Sequence, residues 1–332
     1  MAVVLRQSLW IRHHLLPEQA AIQPRAGRHA PFSIGSTLQR KMRMHWQTSR
    51  YAIDLSAPRV MGIVNVTPDS FSDGGLHAST GAALAHCEQL VKDGAAILDI
   101  GGESTRPGAV PLDEAEELNR VIPVVRHAVT LGVPVSVDTY KPAVMQATLD
   151  LGADIINDVW ALRWAAPDGV RGESVVARHP QCGVCLMHMH REPATMQIAP
   201  MEGDVVPQVR DFLQALAVHL ESIGVQAARI CLDPGIGFGK TVAQNFSLLA
   251  RQQEIAALGY PVLAGWSRKS SLAAVTQTSL SAVARMDIQE RMVPSVAAAL
   301  IAVQRGARVV RVHDVKETVQ ALKVWAAVTA HN

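Results

Sequence analysis

Aromatic residues are scarce in this chain, at 4% of 332 residues, and only four cysteines occur. Net charge is close to absent at +2, and no apolar run approaches the ~18 residues that cross a membrane. Each shortage excludes something. Four thiols in so long a chain (Cys87, Cys182, Cys185, Cys231) build no disulfide framework and suit a reducing cytoplasm. A near-neutral balance provides no broad field to recruit nucleic acid or an anionic membrane, so basic groups must act locally. With few aromatics, the 48% hydrophobic content rests largely on Ala and Val, the residues of close-packed parallel strands and their helices.

The first fifty residues stand apart. Residues 1–50 carry eight Lys or Arg against one acid, Glu18, without clear apolar periodicity. Arg6 and Arg12 interrupt the opening stretch, so it lacks the continuous apolar segment of a secretory signal. Its Arg-rich character faintly resembles a transit peptide, but a disordered extension is the plainer expectation. Organised sequence begins just after Met44, which favours translation starting at Met42 or Met44.

From residue 51 to 330 the chain has a rhythm. Eight short apolar runs, at 60–64, 96–100, 133–137, 154–156, 183–187, 229–232, 261–265 and 308–312, each stop at polar residues. Helical patterns are expected at 80–93, 113–131, 141–151, 170–179, 205–223, 243–258, 283–305 and 314–328. In the fifth, Val209, Phe212, Leu213, Leu216 and Leu220 share one face. Eight β-then-α units predict a single-domain α/β fold, a TIM (β/α)8 barrel, with chemistry at the carboxyl ends of its strands. The segment Tyr51–Leu55 is expected to close the bottom as a short strand or hairpin arm.

The polar strand ends are therefore expected at one mouth. They are Asn65, Gly101-Gly102-Glu103, Asp138, Asn157-Asp158, His188, Asp233, Ser267-Arg268-Lys269 and His313-Asp314. The first loop, 65–75, is polar and long enough to fold over a ligand, and Asn65 offers an oxygen suited to a hard cation. The second, 101–108, sets Arg106 among glycines, a combination fit for an anion; Glu103 is open between that role and a structural hydrogen bond. Asp138, Asn157 and Asp233 at equivalent strand ends suit a ring rich in N–H donors better than three separate helix caps. Arg311 and His313 alternate with Val312 and so face inward together.

Two motifs mislead. Asp233–Thr241 invites comparison with a phosphate loop, but Pro234 stands where that spacing requires glycine; a glycine loop presenting Phe238 is the better reading. Cys182 and Cys185 with His188 and His190 imitate a zinc site, yet residues three apart on a strand point to opposite faces.

The segments Ile63–Gly75 and Leu98–Gly108, with SVDT at 136–139, IIND at 155–158, LDPGIGFGK at 232–240, SRKS at 267–270 and RVHDVKET at 311–318, resemble the dihydropteroate synthase family. The resemblance runs from about Arg59 to Leu322. It implies a pterin-binding barrel in folate biosynthesis that joins 6-hydroxymethyl-7,8-dihydropterin diphosphate to p-aminobenzoate, releasing pyrophosphate, with Mg2+ as cofactor. It assigns Thr105, Asp138, Asn157, Asp233, Lys269, Arg311, Val312 and His313 to the pterin diphosphate. Of these, Asp138, Lys269, Arg311 and His313 are the expected catalytic groups. Arg106, Pro107, Phe238 and Ser270 would form the p-aminobenzoate pocket, where sulfonamides compete, and Asn65 would hold magnesium. A homodimer is also implied. Two features depart from the family pattern: Ile236 stands in place of Phe, and Met292–Ser295, expected far from the mouth, replaces a more usual glycine-containing stretch. Corrinoid methyltransferases with a pterin barrel would not need Arg311 with His313 or the SRKS segment. A pterin-binding paralogue without activity would not need loops 1 and 2.

Overall fold

Parallel strands form the wall of the barrel. The computed structural model describes residues 44–66, 75–105, 109–193, 195–276 and 287–331. Strands β3 (Arg59–Asn65), β4 (Ile97–Gly101), β5 (Val135–Asp138), β6 (Ile155–Asp158), β7 (Gly183–Met187), β8 (Ile230–Asp233), β9 (Leu263–Ala264) and β10 (Val309–Val312) pair in the order β8-β7-β6-β5-β4-β3-β10-β9. A parallel bridge between Leu232 and Val262 joins the two ends and closes the ring. The expected strands are all present, shifted by at most a few residues.

The period-2 alternation of strands sorts the side chains into two sets. Outward go Val60, Val64, Leu98, Ile100, Val135, Val137, Val310 and Val312, which pack with Val121, Val124 and Val125 of the helix Glu114–Ala128. Inward, near the amino ends, go Met61, Ile97, Ile155, Cys185, Cys231, Leu263 and Val309. Apolar side chains thus fill the lower barrel. Burying each such side chain contributes ~1.5–3 kcal/mol.

Below that layer lies a two-stranded antiparallel hairpin, β1 (His45–Gln47) and β2 (Ala52–Asp54), which contributes Trp46, Ile53 and Leu55 to the same cluster. The Trp46 indole is fully buried and donates to the Arg229 carbonyl at 2.9 Å. Arg50 adds an ion pair to the buried Asp154 at 2.6 Å. The expected boundary at residue 51 therefore falls too late: residues 44–50 form part of the floor. Trp46 is the buried anchor of that contact, and a single aromatic has no periodicity to betray it.

Local chemistry sets several helix limits. Asp113 accepts from the Glu116 amide to start Glu114–Ala128, and Asp204 accepts from Val206 to start Val205–Ser222. In the latter, Val209, Leu213, Leu216 and Leu220 are buried as expected. The helix expected at 243–258 divides into Val242–Ala250 and Gln253–Ala256, because Gln252 turns inward and donates to the Ala302 carbonyl. The expected 283–305 helix is shorter, at Met292–Gln304, after a 3-10 turn at Gln289–Arg291. Its Ala298, Ala299 and Ala302 face the barrel wall. A further helix, Ser270–Thr276, begins at the end of the SRKS segment.

Candidate active site

The same alternation that fills the lower barrel with apolar side chains puts polar ones in its upper half. Asp99 and Gly101 lie on the inward side of β4, two and four residues beyond Ile97. Asp138 and Asn157 are register partners on β5 and β6, as are Gly101 and Asp138. Arg311 follows Val309 inward on β10.

These side chains form one network. The Arg311 guanidinium donates through Nε to Asp99 Oδ2 at 2.5 Å and through Nη2 to Asp138 Oδ2 at 2.7 Å. Asn157 Nδ2 donates to the same Asp99 oxygen at 3.1 Å. Asp99 is 0% exposed, and the sequence reading missed it. A signal exists: Asp99 lies two residues before Gly101, on the face that Ile97 and the strand-end glycine share, although it sits inside the apolar run 96–100.

Burial pushes the Asp138 carboxyl up to about 7 against the pull of Arg311. Asp233 is also raised by burial, with the Gly235 amide and Lys269 opposing. Burial works against the Arg311 cation, yet Asp99 and Asp138 outweigh it, and its pKa is raised. Two carboxylates close to one fixed cation favour a ligand that brings hydrogen-bond donors of its own.

Asp233 ends β8 and accepts from the Gly235 amide at 2.7 Å. Lys269 lies next to it electrostatically, with its Nζ 4.4 Å above the Phe238 ring. Gly237 has φ +84, and a Cβ there would lie 3.3 Å from Lys269 Cδ, so the glycine loop fits closely under the lysine. Phe238 continues into an apolar shelf of Tyr140, Trp160, Trp164, Met187, Met189 and Met196. His313 completes the arc: Ser267 Oγ lies 2.9 Å from its Nδ1 and accepts from its backbone amide at 3.1 Å.

Several expected residues stand elsewhere. The Val312 side chain is 2% exposed and packs in the outer cluster, because it alternates with Arg311 and His313. It presents no side chain to the mouth. Arg268 turns to Asp314, pairing at 2.7 Å, and is not a second cation beside Lys269. Its amide donates to Ser295 Oγ at 2.8 Å. Met292–Ser295, expected far from the mouth, thus braces the loop that carries Lys269. Glu103 takes the structural role, binding the Lys141 ammonium, the Tyr140 hydroxyl at 3.0 Å and the Leu112 amide at 3.2 Å. Asp158 points outward and caps Trp160 and Leu162, whereas its neighbour Asn157 faces in.

Ser270 is exposed at the first turn of its helix, and Thr105 is half-buried beyond β4. Asn65 ends β3 half-buried, in register with Gly101. Arg106, Pro107 and loop residues 67–74 lie outside the described residues. Cys182 packs outward against Arg229 and Cys185 inward beside Cys231, so the two thiols do not share a face.

The sequence model of the pterin binding enzyme family matches residues 61–313, a span that covers every strand of this mouth. The chain belongs to the dihydropteroate synthase family. It is 48% identical over 285 residues to the dihydropteroate synthase of Neisseria meningitidis serogroup C, covering 85% of this chain and 96% of that protein. The Xanthomonas albilineans enzyme, solved with 4-aminobenzoic acid, matches with a TM-score of 0.75 and 49% identity over 84% of this chain and 95% of that one. The Burkholderia cenocepacia enzyme, complexed with 7,8-dihydropteroate, matches with a TM-score of 0.75 and 48% identity over 86% and 97%.

Proposed function

We propose that this chain is a transferase that condenses 6-hydroxymethyl-7,8-dihydropterin diphosphate with p-aminobenzoate to 7,8-dihydropteroate and pyrophosphate. The observation that carries this reading is the joint grip of Asp99 and Asp138 on Arg311, within a mouth that also holds Asn157, Asp233 and Lys269. The two halves of the product bound in the Burkholderia relative, and the aminobenzoate bound in the Xanthomonas relative, are the substrates it fits.

In the reaction, the amine nitrogen forms a bond to the pterin methylene while the carbon–oxygen bond breaks. The electron pair leaves with diphosphate, and the nitrogen loses a proton. Positive charge grows on the ring and negative charge on the leaving group, so the site must favour both. Asp138, Asn157 and Asp233 would accept the ring's N–H groups, with Lys269 alongside. Arg311 and His313, with Thr105, would receive the diphosphate, while Arg106, Pro107, Phe238 and Ser270 would border the aminobenzoate. Phe238 offers a flat face already fixed beneath Lys269.

Magnesium belongs to the same reading. No cluster of three or more acidic, His or Cys side chains that could hold a metal occurs among the described residues. One strand-end amide, Asn65, fits an ion that keeps most of its waters and takes its other ligands from substrate phosphates. When bound, the ion would neutralise charge on the departing diphosphate.

A homodimer is supported by exposed apolar side chains on neighbouring helices, Val293 and Ile301 on one and Val324 and Val328 on the other. A cytoplasmic location agrees with the four free cysteines. No described helix is long and apolar enough to cross a membrane. The deciding assay supplies both substrates and magnesium to the purified protein and follows pyrophosphate. Release dependent on p-aminobenzoate is expected; pterin binding without release would leave a binding protein in its place.

A further inference from the structure

Lys240 takes no part in the chemistry above, yet it is 3% exposed. Its ammonium donates to the carbonyl oxygens of Gly235 at 2.8 Å, Phe238 at 3.1 Å and His188 at 3.3 Å, and it meets His188 Nδ1 at 3.0 Å. Burial and the nearby Lys240 charge hold the His188 pKa well below its ordinary value, so that ring is neutral and Nδ1 accepts. No described carboxylate forms an ion pair with Lys240. A cation surrounded by carbonyl oxygens, with no anion among its ligands, has the coordination of a bare monovalent ion.

The loop needs that cation. Gly235 (φ +69) and Gly239 (φ +73) bring the backbone hard against the 188–190 segment. A Cβ at Gly235 would lie 1.8 Å from the His188 carbonyl oxygen, and one at Gly239 would lie 2.6 Å from His190 Cβ. Three carbonyl dipoles converging in a buried space repel one another unless positive charge lies between them. Burial and the nearby Lys269 charge draw the Lys240 pKa down to about 7 against the opposing pull of the Asp233 charge, and hydrogen bonds from an ammonium to carbonyl oxygens favour its charged form.

We propose that Lys240 is a positioning residue that acts as a tethered monovalent cation, gathering the 235–239 backbone so that Phe238 and Asp233 are aimed at the substrates. The Phe238 carbonyl is one of the three gathered, and its ring supports Lys269 at 4.4 Å. Asp233 is tied to the same loop through the Gly235 amide. A loosened loop therefore displaces the aminobenzoate wall before it disturbs the pterin acceptors on other strands. Which substrate feels the change rests on the proposed function; the state of the loop does not.

The test uses the full chain with Lys240→Ala, which empties the cage, and methylammonium chloride as the replacement cation. Tetramethylammonium chloride at equal ionic strength is the control, being too large to enter. The KM for p-aminobenzoate should rise about tenfold or more, with kcat within about threefold, and methylammonium should restore most of the loss. Hydrogen exchange at the 235–239 amides, read without substrate, should accelerate in the variant and slow again with methylammonium alone. Unchanged exchange, or equal recovery with both salts, overturns the proposal. If Lys240→Ala does not fold, Lys240→Met gives the same exchange comparison with wild type, and unchanged protection is again fatal. Should wild type release no pyrophosphate while the exchange behaves as described, the functional reading fails and the tethered cation stands.

Discussion

Arg311 and Asp99 stand 212 positions apart in the chain, and their side chains meet at 2.5 Å inside the barrel. The same Asp99 oxygen receives Asn157, so one carboxylate orients both a cation and an amide of the mouth. With one Nδ2 hydrogen of Asn157 given to Asp99, its carbonyl oxygen and its second N–H remain to meet a ligand.

Removing the Asp99 charge should therefore disturb more than one contact. Asp99→Asn leaves Arg311 with Asp138 alone and is expected to lower kcat/KM for the pterin by about tenfold or more. Loss of one partner of a buried pair should reduce unfolding free energy by ~3 kcal/mol. Urea denaturation and steady-state kinetics check both; wild-type values in the two would reject the hub.

Asp138 combines an elevated pKa of about 7 with a position beside Arg311. Asp138→Asn is expected to reduce kcat about a hundredfold while pterin affinity changes only a few-fold, because the lost charge matters most when the ring turns cationic. The ionised acceptor is lost below pH 7, so kcat/KM of the wild type should fall as pH drops through that value. Stability runs the other way. Since the unfolded carboxyl gives up its proton near pH ~4, this group's contribution declines as pH rises from there to about 7. A kcat/KM profile flat down to pH 5 would remove Asp138 from this role.

Asn65 is the described strand-end oxygen assigned to magnesium. Chelation should abolish pyrophosphate release and added Mg2+ should restore it. Asn65→Ala should raise the magnesium concentration for half-maximal rate by about tenfold, as expected when one ligand of a weakly held ion is lost. Identical magnesium titrations for variant and wild type would free Asn65 of the assignment.

The floor can be tested apart from the chemistry. Trp46→Ala removes a fully buried indole and its hydrogen bond to Arg229, and should cost ~3–5 kcal/mol of stability. Below the lowered melting transition, the KM values should stay within about twofold of wild type, because Trp46 lies at the opposite end of the barrel from the mouth. A variant as stable as wild type would mean that residues 44–50 do not plug the barrel.

The sequence by itself determined the barrel, because eight apolar runs ending on polar residues encode strand periodicity locally, residue by residue. It also indicated Asp138, Asn157, Asp233, Arg311 and His313, each on or just past a strand end where side-chain direction follows from alternation, and Lys269 in the polar loop beyond β9. Only the tertiary structure decided which polar residues meet one another. It paired Arg268 with Asp314 and Glu103 with Lys141, and brought Ser295 under the lysine loop. It also disclosed Asp99 and Lys240, whose partners come from other strands and from backbone carbonyls. Periodicity is a property of neighbours along the chain. Partnership in a closed barrel is set by register and ring closure, which bring residues hundreds of positions apart to within a hydrogen bond.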